Sequence, residues 1–227
     1  MLVFWEARLV FLATPKTGST AIAEALESRA AISVQRPPLL KHTTVHRFRR
    51  FLGPYLEAAS KDEWCVVALM REPRDWLGSW YRFRQRPDQT DARKSTRGMD
   101  FDSFVEAWCA PTRPAFADVG SQARFLRPRQ GQGVDRLFRY EDMAGFTAFL
   151  AERLDGAGSG PEAAAPGTAG SGAAGSGVAG SGTGGIALPR VNVSPEADLA
   201  LSPATEARLR EVAAEDFALY ESLGPEV

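Results

Sequence analysis

With only Cys65 and Cys109 in 227 residues, the chain has no disulfide framework and no cysteine-rich metal site. Nor does any stretch approach the ~20 uninterrupted apolar residues of a membrane span. The apolar segment 1–13 is broken by Glu6 and Arg8 and lacks a small-residue cleavage site, so it does not read as a signal peptide. A cytoplasmic location is expected. Histidine is scarce as well, limited to His42 and His46. Net charge is nearly absent at −1, but the halves differ: residues 1–100 carry +6 and residues 101–227 carry −7. An acidic half argues against a nucleic-acid binder, whereas a basic half suits a small polyanion.

What remains, 44% hydrophobic and 24% charged residues, is the composition of one globular α/β domain spanning 1–227. Leu9 to Thr14 and Trp64 to Met70 are apolar runs of the kind that form buried parallel strands. Ala31 to Val34 and Arg136 to Tyr140 are further strand candidates. Helices are expected from Thr43 or Thr44 to Ala59, interrupted at Gly53-Pro54, and from Pro73 onward. Further helices are expected at Phe101–Trp108, Ser121–Leu126, Asp142–Leu154 and about Pro203 to Leu223. The alternation predicts a P-loop-like three-layer α/β/α fold around a central, mostly parallel sheet. Gly156 to Gly185 is Gly/Ala/Ser-rich and repeats AGSG, which predicts a disordered insertion within the domain.

The organising stretch is Pro15-Lys16-Thr17-Gly18-Ser19-Thr20, between the first strand and an Ala/Ile/Leu/Glu helix. A strand, a tight turn with one glycine and a helix start make an anion cradle, since the first-turn amides and the helix dipole both favour negative charge. The turn departs from G-x-x-x-x-G-K-[ST]: the first glycine is missing and Lys16 precedes Gly18. Such a short loop suits one 5′-phosphate better than a triphosphate. The plain alternative is a strand-to-helix turn with ordinary Ser/Thr capping. A second strand-to-helix turn follows at Arg71-Glu72-Pro73-Arg74-Asp75, with Ser79 about two turns into its helix. In an open α/β sheet two such turns share the ligand crevice.

A strand followed by PKTGST resembles the 5′-phosphosulfate loop of the sulfotransferases that use 3′-phosphoadenosine 5′-phosphosulfate (PAPS). REPRDWLGSWY resembles that family's 3′-phosphate motif, with Arg71 at a strand end and Ser79 eight residues on. The order of loop, Lys41-His42 segment, Arg…Ser helix, RYED and a late Asn-x-Ser is similar to the bacterial and Golgi-type carbohydrate branch. Glu72 stands where that family frequently has Asn, and the late Arg-Lys-Gly loop of its cytosolic branch is missing.

The resemblance implies PAPS as co-substrate without a metal, and a small-molecule or glycan hydroxyl as acceptor. Lys16 would stabilise charge on the bridging oxygen, and Pro15, Lys16, Thr17, Gly18, Ser19 and Thr20 would hold the 5′-phosphate, largely through backbone N–H groups. Arg71 and Ser79 would hold the 3′-phosphate, while Arg190, Asn192 and Ser194 would close over the nucleotide. His42 would serve as base, set near a helix start that lowers its pKa, with His46, Glu72 and Glu24 as alternatives. Two competing functions stay open. A P-loop kinase for a small metabolite would need a metal-binding carboxylate where Arg71 stands. A nucleotide-binding interaction protein would hold 3′-phosphoadenosine 5′-phosphate and turn over nothing.

Overall fold

The computed structural model describes residues 1–128, 131–157, 186–189 and 196–224. Two apolar runs at the start pair as an antiparallel hairpin, β1 (Leu2–Phe4) against β2 (Leu9–Leu12), with Leu2 opposite Phe11. Every residue of both strands is buried, which fits interior strands covered on both faces. Helix α1 (Ser19–Leu26) buries Ile22, Ala23 and Leu26, and β3 (Ile32–Ser33) returns antiparallel to β1.

Short helices α2 (Pro38–Lys41) and α3 (Val45–Arg47) follow, and the Thr44 hydroxyl caps α3 by accepting the Arg47 N–H at 3.3 Å. Gly53-Pro54 does not interrupt the run that α3 begins. A π turn at Phe48–Leu52 leads directly into α4 (Gly53–Ser60), with the Gly53 N–H reaching back to the Phe48 carbonyl. Pro54 then falls in the first turn of α4, where its missing N–H costs nothing. Next come β4 (Cys65–Met70), α5 (Pro73–Arg84), α6 (Phe101–Cys109), α7 (Gln122–Leu126), β5 (Arg136–Arg139) and α8 (Met143–Ala157). The last helical stretch breaks at Ala213 into α9 (Pro203–Val212) and α10 (Ala214–Glu221), where one helix was expected.

The sheet order is β3-β1-β2-β4-β5, with β2, β4 and β5 parallel and β1 and β3 antiparallel to their neighbours. It is an α/β fold whose mixed sheet is parallel in its centre. The two-residue pleat period sends Leu9, Phe11, Val67 and Leu69 to one face, against Ile22 of α1 and Phe146 and Leu150 of α8. Val10, Leu12, Val66, Ala68 and Met70 face the other side, against Val45, Phe48, Leu56 and Phe125. Phe146 is fully buried and its ring lies 5.7 Å from Phe11 and 5.5 Å from Phe138. Truncating it to alanine would cost about 3–5 kcal/mol. A third cluster joins α5, α6, α9 and α10 through Trp76, Tyr81, Phe104, Trp108, Leu209 and Phe217.

Of the segment read as an insertion, Gly156 and Ala157 are the last residues of α8, a correction to its start. Residues 158–185 lie outside the described residues, as do Arg190, Asn192 and Ser194. Among the described residues no helix is long and apolar enough to cross a membrane.

Candidate functional site

The parallel strands β2 and β4 deliver their carboxyl ends side by side, with Leu12 opposite Ala68. From β2 the chain turns through Pro15 to Gly18. Gly18 takes the left-handed conformation (φ 70°) as N-cap of α1, and no side chain caps the helix. The capping alternative is therefore not what the turn does. The first helical bond runs from the Ile22 N–H to the Gly18 carbonyl, which leaves the amides of Ser19, Thr20 and Ala21 outside the ladder. Thr17 turns its side chain inward. It is fully buried, and its hydroxyl donates to the Thr14 carbonyl at 2.9 Å, so its side chain closes the turn and is absent from the cleft lining.

Lys16 also holds a left-handed backbone, φ 65°, rare for a side chain with a Cβ. Its ammonium lies 4.0 Å from the Phe83 ring centre and 5.6 Å from that of Trp80, both on α5. Burial, and then the positive charges of Arg71, Arg86 and Arg82, lower its pKa from 10.5 to about 7. Trp76, buried on the same helix, donates its indole N–H to the Pro15 carbonyl at 2.9 Å and fixes the turn from below.

At the end of β4, Arg71 is held from several sides. Its Nε donates to Asp75 at 2.5 Å, its Nη1 donates to the Lys16 carbonyl at 3.4 Å, and its guanidinium lies 4.6 Å from the Tyr140 ring centre. The ion pair with Asp75 thus coexists with a place in the cleft. Gln122 of α7 fixes the Arg71 backbone at both ends: Oε1 accepts the Arg71 N–H at 2.9 Å, and Nε2 donates to the Arg71 carbonyl at 2.8 Å. Asp216 on α10 holds Gln122 in turn, its buried carboxylate accepting the Gln122 and Ala123 amides at 2.7 and 3.1 Å. Neither Gln122 nor Asp216 carried a sequence signal. Glu72 caps α5 by accepting the Asp75 N–H at 2.7 Å, so this carboxylate is committed to the helix start.

These parts converge on one cleft of about 360 Å³, lined by Pro15, Lys16, Gly18, Ser19 and Thr20 of the turn together with Arg71 and Ser79. Lys41, His42 and Tyr140 complete the polar wall, and among the described residues no carboxylate belongs to it. Lys41 donates its ammonium proton to the Thr20 hydroxyl at 3.0 Å. Beside the cleft the buried indole nitrogen of Trp80 has no partner among the described residues. Lys16, Lys41, Arg71 and three free amides suit a small ligand with more than one negative group.

His42 is not at a helix start. It follows the last residue of α2 and precedes α3. Its Nδ1 lies 2.7 Å from the Ala13 carbonyl, which can only accept, so Nδ1 carries the proton and Nε2 the lone pair. Burial lowers its pKa against the opposing Ala13 bond, with Lys41 and Lys16 pushing the same way as burial. The result is a neutral, proton-accepting imidazole, reached by desolvation and not by the helix dipole. Pro15 and His42 also line a second cleft of about 750 Å³, which His46 joins from α3. Comparison with protein-family models, curated proteins and solved structures finds no match to this chain, so its own geometry carries the functional reading.

Proposed function

We propose that this chain is a sulfotransferase that moves a sulfuryl group from PAPS to a hydroxyl acceptor, by in-line displacement in a P-loop-like site. One observation carries the reading. The turn at 15–20 and the Arg71…Ser79 pair, far apart in sequence, line one cation-rich cleft without a carboxylate among its described residues, at whose edge His42 holds a lone pair. A P-loop kinase would instead set a carboxylate at the end of β4 to hold Mg²⁺. Arg71 stands there, and the neighbouring Glu72 is a helix cap.

In this reading the amides at Ser19, Thr20 and Ala21 hold the 5′-phosphate, and Arg71 with Ser79 holds the 3′-phosphate. PAPS supplies a sulfuryl group already activated by its anhydride link to phosphate. His42 Nε2 accepts the proton of the acceptor hydroxyl as that oxygen bonds to sulfur. Lys16, charged once the anionic ligand is beside it, meets the negative charge on the bridging oxygen as its bond to sulfur breaks. The bridging oxygen departs with 3′-phosphoadenosine 5′-phosphate.

The test is thermal protection by that bisphosphate, by AMP and by ATP with Mg²⁺, in wild type and in Arg71→Ala. The bisphosphate should stabilise the protein without metal and AMP much less. Arg71→Ala should remove most of the difference, about 1.5–3 kcal/mol for a charged hydrogen bond, or roughly 10- to 150-fold in affinity. Equal protection by AMP and bisphosphate overturns the reading, and protection only by ATP with Mg²⁺ selects the kinase. Bisphosphate binding with no consumption of PAPS on any hydroxyl acceptor would select the interaction protein.

A further inference from the structure

We infer that the second cleft binds an anionic acceptor, a hydroxyl-bearing molecule that carries a carboxylate or sulfate, through Arg47, Arg124 and Arg127. This rests on the proposed reaction, because His42 and Pro15 form the wall between this cleft and the nucleotide cleft. A hydroxyl entering from the larger cleft meets His42 where the two clefts adjoin. At about 750 Å³ the space suits a disaccharide-sized or larger ligand.

The charge of the lining points to the class. Arg47 comes from α3, Arg124 from α7 and Arg127 from just beyond α7, and Glu215 is the sole carboxylate among the described lining residues. Among the described residues none of the three guanidinium groups has a hydrogen-bond or ion-pair partner. Arg71 of the nucleotide cleft, by contrast, is held by Asp75 at 2.5 Å. Two of the free guanidiniums lie in the half of the chain whose net charge is −7, so they are a local concentration against an acidic background.

An independent polar feature belongs to the same cleft. Thr14 lines it and is fully buried, yet its hydroxyl has no partner among the described residues. A buried hydroxyl left unpaired is costly, and an acceptor hydroxyl beside His42 would relieve it. Unpaired cations at the mouth, an unpaired hydroxyl within and a proton acceptor in the shared wall together describe a polar ligand with an acidic group. A steroid or simple phenol would use the proton acceptor but leave the three cations unmatched.

The test is direct binding of a matched series of dextran oligosaccharides, neutral, carboxymethylated and sulfated, to protein saturated with the bisphosphate. Wild type, Arg124→Glu/Arg127→Glu and a control reversal outside the cleft, Arg29→Glu/Arg153→Glu, carry the comparison. Carboxymethylated or sulfated probes should bind wild type at least about tenfold tighter than neutral dextran, and the preference should fall as salt rises. The cleft reversal should abolish the preference and the control should keep it; which anionic probe binds tighter identifies the group. Equal binding of neutral and anionic probes, no binding of either, or equal loss in both reversals overturns the inference. Bisphosphate protection is read separately. If it fails while the anion preference behaves as expected, the sulfuryl-transfer reading falls and the anion site stands.

Discussion

Lys16→Met separates the cost of the site from its use. The substitution keeps the aliphatic stem and the strained backbone, and removes only the ammonium that burial and three arginines oppose. A fall in pKa from 10.5 to about 7 sets a ceiling near 5 kcal/mol on the native-state penalty, at about 1.4 kcal/mol per decade. The Phe83 face at 4.0 Å favours the charged form, by about 0.5–2 kcal/mol. Partial solvent access reduces the penalty further, leaving about 2–3 kcal/mol. Below about pH 7 Lys16 is charged in both native and unfolded chains and the whole penalty applies. Between about 7 and 10.5 only the unfolded chain keeps the proton, so the penalty shrinks as pH rises. Urea unfolding at a series of pH values should therefore show Lys16→Met more stable than wild type at pH 6–7, with the gap closing towards pH 10. Turnover should be lost throughout. A variant less stable than wild type at pH 7, or a gap that does not change with pH, would refute the account of a strained, desolvated lysine.

His42→Ala should keep bisphosphate protection and lower turnover at least about 10²-fold, while His46→Ala costs much less. The acid limb of the wild-type rate profile should lie below the ordinary histidine value of 6.5, because burial lowers the pKa of His42; near-wild-type turnover without His42 moves the base elsewhere. Gln122→Leu leaves both backbone groups of Arg71 unpaired and should cost about 2–4 kcal/mol of stability. It should also weaken bisphosphate binding more than AMP binding, and unchanged melting and binding would deny the clamp. Gly18→Ala puts a Cβ into a left-handed turn and 3.3 Å from the Tyr140 ring. It should cost about 1–2 kcal/mol in urea unfolding and most of the bisphosphate protection, and wild-type behaviour would remove the anion turn from the site.

The central strands were legible because continuous apolar runs such as Cys65–Met70 have few other places to go. The two strand-to-helix turns were legible because Pro, Gly and hydroxyl residues punctuate them, and their convergence follows from parallel neighbours. β1 was not. Its three apolar residues carry no strand signal of their own and form a strand where Phe11, Val10 and Leu9 pair with them. His42 was located but its setting was not: the residues after it do begin a helix, yet its tautomer is set by the Ala13 carbonyl 29 residues away and its neutral state by burial. Gln122 left no trace in the sequence, since one amide in a five-residue helix has no period or spacing to reveal it.

The amide clamp on Arg71 also constrains the order in which this protein becomes competent. Asp216 reaches Gln122 across 94 residues of chain, and Gln122 reaches Arg71 across 51. A nascent chain whose synthesis has passed β5 already holds every strand of the sheet and the whole anion turn. It still lacks the carboxylate that steadies Gln122. Ligand retention by ribosome-stalled chains of increasing length should therefore appear as a late step, after protease resistance of the sheet and only once α10 has cleared the exit tunnel.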